Sequence, residues 1–588
     1  MWQKTSRAAF AAAWLLASAA NAIPHDDGSM DMDTSKAANT QPEATAQTSD
    51  NSPMSYFAYG KHSGTIVAHI ALMVLAWCFV LPIAVMFSIA RSKFALSSQF
   101  FFLLFNALGL LLGIIYNSQT PDLYENNAHH KIGWIVTWVA CAQAAMSLIF
   151  AYAGKEDSES TSHEGAAFLP VSTDDMDDHT EPNGSLHAYR WSRDSGQGTE
   201  RDSSSLNSRL QSPACGSPVE DYEFDKPEDQ DLRSGGTPAW WQNTVIDRFL
   251  VKRIPSMISS RVLRALSIVY IVIDRIILPF GFIAIATGGV TYGGIMRGIE
   301  IFNGLAHFIK GGIFFWYGLL TLGRWMGCWA DFGWAWNAKP PSDAASKWKA
   351  NVPSGEFLES LVIFTYGASN ASLEHLAAWG KEWTAMDLEH VSISIMFFGG
   401  GLCGMLFENK RIKRWLNTTV LPYPSRFGVN GSSDGAWEVP DTQRVSLNPM
   451  PALVILLLGM VMGSHHQDNM TSTMVHKQWG NLLVVFALAR GATYVLLYIR
   501  PPTSYLPARP PTEVISSFCL ISGGLIFMLS TRNVVEAMIH YDLDAMFTFT
   551  VGMGFTAFVM AYEVLAIAIK AWAMKRQMPQ PAPFRLSA

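Results

Sequence analysis

Residues 464–480 read SHHQDNMTSTMVHKQWG. The stretch is polar, and apolar runs enclose it, 451–463 before and 482–499 after. An apolar segment of this kind satisfies its backbone N–H and C=O groups internally when it crosses lipid, which makes it a helix. The quoted stretch is therefore the turn of a helical hairpin in a membrane. The same pattern recurs outward in both directions. Runs at 66–90, 100–116 and 132–152 form a first block. Runs at 266–286, 301–322, 357–378, 390–407, 451–463, 482–499, 514–530 and 545–570 form a second. The expected fold class is an all-α polytopic membrane protein with about eleven transmembrane helices in two blocks.

Composition agrees. Of 588 residues, 49% are hydrophobic and only 15% charged. A soluble chain carries about a quarter charged residues, so much of this surface is expected to face lipid. The net charge of -6 is uneven, because acid concentrates in one linker. Nothing in that distribution points to nucleic acid. The partners expected are the lipid bilayer and, at the acidic linker, cytoplasmic proteins or kinases. The six cysteines show no CxxC spacing, which argues against a zinc ribbon or a disulfide framework.

The chain divides as follows. Residues 1–22 read as a signal peptide: Lys4 and Arg7 precede an apolar core, and Ala20-Asn21-Ala22 is a cleavage site. Residues 23–64 are a polar tail, expected to be disordered and exoplasmic. Residues 65–153 form a three-helix membrane domain. Residues 154–247 are dense in Ser, Asp, Glu, Gly and Pro and read as a disordered cytoplasmic linker. Residues 248–574 hold about eight further helices, and 575–588 are a cytoplasmic tail. Arg91 with Lys93, the cluster Arg411, Lys413 and Arg414, and Lys570, Lys575 and Arg576 all fall on the cytoplasmic side of this count, as the positive-inside rule requires. The sequon at Asn469 falls outside, where glycosylation can occur. The chain is thus expected in the secretory or endomembrane system or the plasma membrane.

On this topology the membrane-region histidines share one side. His69 lies a turn inside the first helix, His129 and His130 start the third, and His307 lies inside the fifth. His375 ends the sixth, His390 starts the seventh, His465, His466 and His476 flank the quoted hairpin, and His540 lies in the last exoplasmic loop. Neutral imidazole ligates haem iron, copper and zinc. Carboxylates accompany it: Glu374 beside His375, Glu389 beside His390, and Asp468 near His466. Such groups are ligands or fix the ring tautomer. Interfacial histidines also cap helices or meet headgroups, so each one alone has a structural reading. The layer as a whole points to haem b or a transition metal, or to proton handling.

Ionisable groups inside the runs are the second signal. Asp274 with Arg275, Lys310 one turn after His307, and Glu359 are costly in lipid and mark pathways or internal pairs. The glycines Gly311-Gly312, Gly399-Gly400-Gly401 and Gly404 follow no strand, so they read as close helix packing rather than a phosphate loop. Trp134, Trp138, Trp329, Trp334 and Trp336 read as interfacial anchors.

The segment HIALMVLAWCFVLPIAVMFSIAR from His69, and HHKIGWIVTW from His129, resemble helices of cytochrome-b-type transmembrane reductases, which hold haem in a four-helix bundle. EHVSISIMFFGGGLCGMLFE, from Glu389, resembles the fungal Ytp-type membrane proteins, which pair an N-terminal domain of unknown function with a C-terminal Ytp-type domain. The reductase resemblance covers three helices. It implies one exoplasmic haem, held by His69 with His129 or His130. The second helix carries Asn106 and no histidine, so the second haem such enzymes use to pass electrons across has no ligands. Three functions compete: a haem- or metal-binding redox protein, a metal-ion or proton-coupled transporter using Glu359, Glu374, Lys310 and the Asp274–Arg275 pair, and a non-enzymatic scaffold. No nucleophile elbow, HExxH or P-loop is present, which sets soluble hydrolases aside.

Overall fold

The computed structural model of the protein describes residues 55–153, 259–298, 300–341, 347–373, 382–419, 440–443, 445–464, 467 and 469–577. The expected signal peptide, the tail before residue 55, the linker and the residues from 578 lie outside the described residues. So do Glu374, His375, His465, His466 and Asp468.

All the regular structure among the described residues is helical. The eleven expected runs fall on α1 (Ser63–Ile89), α2 (Ala95–Gln119), α3 (Ala128–Ala153), α4 (Ser260–Gly293), α5 (Glu300–Met326), α6 (Gly355–Leu373), α7 (Ala385–Glu408), α9 (Met450–Ser464), α10 (Met470–Ile499), α11 (Pro511–Leu529) and α13 (Ala545–Gln577). Four short α-helices among the described residues fall outside these runs: single turns at Tyr56–Tyr59 and Lys347–Asn351, and the longer α8 (Lys410–Thr418) and α12 (Arg532–His540). Nine of the described helices are long and apolar enough to cross a membrane. Phe101, Ile135, Ile268, Ile395 and Leu488 are each more than half exposed, a surface that suits lipid and not water.

Helix ends follow local chemistry. Thr384 and Asp387 form a reciprocal capping box at the start of α7. Pro511 opens α11, where a missing N–H costs nothing. Gly294 closes α4 in the left-handed region at φ +67°. In α1 a π-helical turn, Leu75–Val80, precedes Pro82, whose ring nitrogen offers no hydrogen bond to the preceding turn.

The first three helices do not close a core alone. Trp77, Leu81 and Val85 of α1 meet Phe102 of α2, Val136 and Ala140 of α3, and Ile277 and Ala284 of α4. Trp77 lies over Gly281, where a Cβ would stand 2.7 Å from the ring. Its Nε1 donates to Asn106 Oδ1 at 2.9 Å, and Asn106 Nδ2 donates to Thr137 Oγ1 at 3.3 Å. Asn106, the residue standing where a haem histidine was sought, thus ties α1, α2 and α3 together. The first packing unit is a four-helix bundle that borrows α4 from the second block.

The second unit is built on glycine contacts, because lipid gives helices no hydrophobic reason to associate and close packing must do it. A Cβ on Gly311 of α5 would stand 2.6 Å from the Gly524 carbonyl of α11. Gly401 of α7 lies against the backbone of Phe364 in α6, and Gly459 of α9 against that of Gly480 in α10. Of the glycines expected to serve helix packing, Gly311, Gly400, Gly401 and Gly404 do so, Gly312 meets only Phe282 at 3.6 Å, and Gly399 faces nothing within 4 Å. The two units join where Phe282 of α4 stacks on Phe315 of α5, 5.4 Å between centroids, and where Tyr562 of α13 donates to the Phe79 carbonyl of α1 at 2.5 Å.

Successive spanning helices alternate in direction, so their ends form two layers. At one end Tyr124 donates to the Ile295 and Met296 carbonyls, both at 2.9 Å, and Met296 N donates to Asn533. At the opposite end Ala338 N donates to the Ser504 carbonyl at 2.9 Å, and Gln577 to that of Arg91 at 2.8 Å. Every described histidine lies toward the first of these ends.

Candidate functional site

The described part of the histidine layer resolves into two pairs. His69 of α1 faces His129 of α3, with ring centroids 6.5 Å apart. His69 Nδ1 is 2.7 Å from the Gly109 carbonyl, and His129 Nδ1 is 3.1 Å from that of Ala284. In each ring the carbonyl fixes the Nδ1–H tautomer, which leaves Nε2 as the free lone pair. Gly113 and Gly288 make room for these rings: a Cβ on either would come within about 3 Å of an imidazole atom. His130 is exposed and takes no part.

His307 of α5 faces His476 of α10, with centroids 6.1 Å apart and planes at 89°. Each Nδ1 is 2.8 Å from a carbonyl one turn earlier on its own helix, Asn303 and Ser472. His390 lines the cavity described next, while Glu389 and His540 are exposed. Asn469 caps α10, its side chain accepting from Ser472 N at 2.7 Å. No group of three or more potential metal-ligating side chains occurs among the described residues.

A cavity of about 560 Å³ lies within the second unit, between the α6–α7 hairpin and α5, α9, α10 and α11. Lys310, Asn370 and His390 line its histidine end, and Tyr317, Arg324 and Glu359 its opposite end. Lys310 and Arg324 are fourteen residues apart on α5, about 21 Å at the helical rise of about 1.5 Å per residue, so the cavity spans most of a bilayer core. The wall between is apolar, from Phe314, Ile363, Phe397, Ile455 and Leu458. Trp479 and Phe527 stack at 4.1 Å and lie beside the His307–His476 pair.

At its opposite end the cavity opens on an ionic network that sequence reading found only in part. Arg324 Nη1 donates to Glu359 Oε1 at 2.6 Å and Nη2 to Glu356 Oε1 at 2.8 Å. Arg490 of α10 reaches Glu359 at 3.3 Å, and its Nε lies 2.8 Å from Glu513 Oε1 of α11. That last contact is a close ion pair with a bent angle, since neither atom makes a well-aligned hydrogen bond. All five side chains are more than nine-tenths buried. Trp336, read from sequence as an interfacial anchor, is instead 3% exposed and stacks under Arg324 at 4.4 Å. Of the five charged residues only Glu359 was singled out beforehand. Arg490 gave a usable signal, because it stands inside an apolar run where an unpaired cation is costly. Arg324, Glu356 and Glu513 sit near helix ends, where charge is cheap, and gave none.

Asp274 and Arg275 do not form the internal pair that their adjacency invites. Neighbours on a helix point about 100° apart. Asp274 is 7% exposed and turned into the first bundle, whereas Arg275 is exposed.

Comparison with known proteins follows the two units. Residues 50–153 match a domain of unknown function (DUF2427), and residues 280–571 match the YTP1-like C-terminal domain. The chain is 32% identical over 522 residues to an uncharacterized membrane protein of Schizosaccharomyces pombe, covering 88% of this chain and 96% of that one. The chain belongs to the Ytp1-like family of membrane proteins. It is also 35% identical over 368 residues to an uncharacterized membrane protein of Saccharomyces cerevisiae, 61% of this chain and 57% of that one. Protein YTP1 of the same yeast is 22% identical over 283 residues, 48% of this chain and 50% of its own. No solved structure matches significantly. The His69–His129 pair falls in the first matched region, and the cavity with its ionic network in the Ytp1-like one.

Proposed function

We propose that this Ytp1-like protein is a membrane carrier whose substrate site is the cavity of its second unit. The cavity carries the reading: it has the volume of a small-molecule site, an apolar wall and a few polar groups gathered at its two ends. Intramembrane charges at such a place mark substrate or ion pathways. The α6–α7 hairpin forms one wall, packs tightly on itself, and meets the rest of the unit mainly through α9 and the ionic network. It is therefore the element able to rock against the core, with Glu356 and Glu359 as its latch on Arg324 and Arg490. Cysteines placed one at a time at Leu358 and Ile393, in a chain stripped of its own, test this with a membrane-impermeant maleimide. A carrier gives labelling from opposite membrane faces. Labelling of both from one face, or of neither, refutes it.

A second reading rests on the first bundle. Two imidazoles on one metal stand about 6 Å apart, allowing about 2 Å per metal–nitrogen bond. The His69–His129 spacing of 6.5 Å and the Nε2 lone pairs suit haem iron or a transition-metal ion, and Gly113 and Gly288 let the two rings sit where they do. Such a group supplies one-electron chemistry. Oxidised and reduced absorption spectra with elemental analysis, compared with His69→Ala, decide it. Absence of both haem and metal rejects it.

For orientation, the basic residues Arg91, Lys93, Lys410, Arg411, Lys413 and Arg414 at the opposite end favour that end as cytoplasmic. The histidine end is then exoplasmic, in a secretory, endomembrane or plasma membrane, and the acidic linker is presented to cytoplasmic partners or kinases.

A further inference from the structure

The first bundle holds a buried acid that neither reading uses. Asp274 of α4 sits at the opposite end from His69 and His129, inside the four helices. Ser88 Oγ of α1 donates to its Oδ2 at 2.5 Å, and Gln143 Nε2 of α3 donates to its Oδ1. Ser88 Oγ is also 2.7 Å from the hydroxyl of Tyr270, and Gln99 Nε2 of α2 donates to that hydroxyl at 3.0 Å. All five side chains are more than nine-tenths buried.

Three observations set this cluster apart. First, the carboxylate forms no ion pair among the described residues, and Arg275 is turned away. A lone buried carboxylate at this depth is neutralised by a proton or a cation, because its desolvation is not repaid by dipoles alone. Second, its donors form a chain, Gln99 to Tyr270 to Ser88 to Asp274, and hydroxyls in such a chain run in either direction. With Asp274 ionised the chain points toward it, and Gln99 Oε1 at the far end is left buried without a partner. Third, Ser88 and Tyr270 also line a cavity of about 50 Å³, together with Ser92, Ser147, Arg91 and Lys93. That is room for water, and the cavity sits at the helix ends.

We propose that Asp274 is a reversible proton-binding site, loaded from the opposite end through Tyr270 and Ser88. Water in the small cavity delivers a proton to the Tyr270–Ser88 hydroxyl pair. Ser88 passes its own proton to Asp274 Oδ2 and takes one from its neighbour. One O–H bond forms at the carboxylate, each hydroxyl is restored, and the cluster gains one positive charge. The charged or titratable groups around the site are Tyr270 and Arg275 on α4, Arg91 beyond the end of α1, and Lys93 before α2; α2 and α3 present amides and Ser147. Asp274 and Tyr270 fall between the two matched family regions, while Ser88, Gln99 and Gln143 fall in the first.

Infrared difference spectra of the full chain in lipid nanodiscs, recorded across a pH titration, test it. The expected result is a carboxylic-acid carbonyl band that disappears as pH rises and is lost in Asp274→Asn. In Ser88→Ala the band is expected to shift in position and in midpoint. Aspartate carrying carbon-13 in its carboxyl shows that the band is an aspartate's in the unsubstituted protein, and its displacement in Ser88→Ala, whose hydroxyl donates to Asp274, ties it to this site without relying on how Asp274→Asn folds. A titration without any aspartate band, or a band unchanged at every pH at which the protein stays folded, overturns the proposal. Neither result touches the carrier reading, which concerns the other unit.

Discussion

Arg490 and Glu513 offer the sharpest test of the ionic network. Arg490 Nε lies 2.8 Å from Glu513 Oε1, with the two side chains 1% and 0% exposed. At an effective dielectric of about 20 their attraction is about 6 kcal/mol, most of it offset by the desolvation of both ions. Removing one partner is a different matter. Arg490→Met leaves Glu513 without its counter-ion, to stay charged or to take up a proton, and breaking a buried pair in that way costs about 3–5 kcal/mol. The N-terminus of α11, where Glu513 sits in the first turn, relieves this by about 0.3–1 kcal/mol. Glu513→Gln is milder at about 1–3 kcal/mol, because Arg490 keeps Glu359 at 3.3 Å. The double substitution abolishes the orphaned charge, so its cost falls below the sum of the singles by about 2–3 kcal/mol. Reversible unfolding in mixed micelles, followed by circular dichroism, measures all three. Additivity within about 0.5 kcal/mol refutes the reasoning, since it means the two groups do not meet in the folded protein.

Gly401→Val drives a side chain into the Phe364 backbone, whose nitrogen a Cβ would meet at 2.3 Å, and costs about 3 kcal/mol by prising α6 from α7. Gly399→Ala, where nothing lies within 4 Å, stays within about 0.5 kcal/mol in the same unfolding assay. Asn106→Leu leaves Trp77 Nε1 buried without its acceptor and destabilises the first bundle by about 1–3 kcal/mol, read from the same curves. In α8 the basic Lys410, Arg411, Lys413 and Arg414 lie opposite Ile412, Trp415 and Leu416, and Trp415 is 67% exposed. Such a helix lies in the membrane interface. Trp415 fluorescence is therefore quenched by lipids carrying a quencher near the headgroup, and an unquenched Trp415 rules this placement out.

Much of the architecture was legible because lipid imposes a strict one-dimensional rule. A run near twenty apolar residues is a helix wherever it occurs, so the sequence alone locates the eleven runs, and alternation puts every described histidine at one end. The glycines at 311 and 401 also spoke plainly, since only close packing explains them in such runs. What stayed hidden depends on which helices touch. That α4 completes the first bundle is invisible in sequence, because a linker precedes it and its apolar face would suit either block. His69 met His129 and not His130, a difference of 100° around α3 that follows from where α1 packs. Arg324, Arg490, Glu356, Glu359 and Glu513 lie on four helices; Glu359 and Arg490 stand inside apolar runs, but the other three each look alone like a charge near a membrane edge, and nothing in the sequence pairs them. Local hydropathy in the sequence determined the order and alternation of the eleven apolar runs, but it missed the short helices and left Met470–Gly480 in a turn where α10 has already begun. Only the tertiary structure decided which buried groups become partners, because partnership depends on the rotation of each helix about its axis, and packing against all the others sets that rotation.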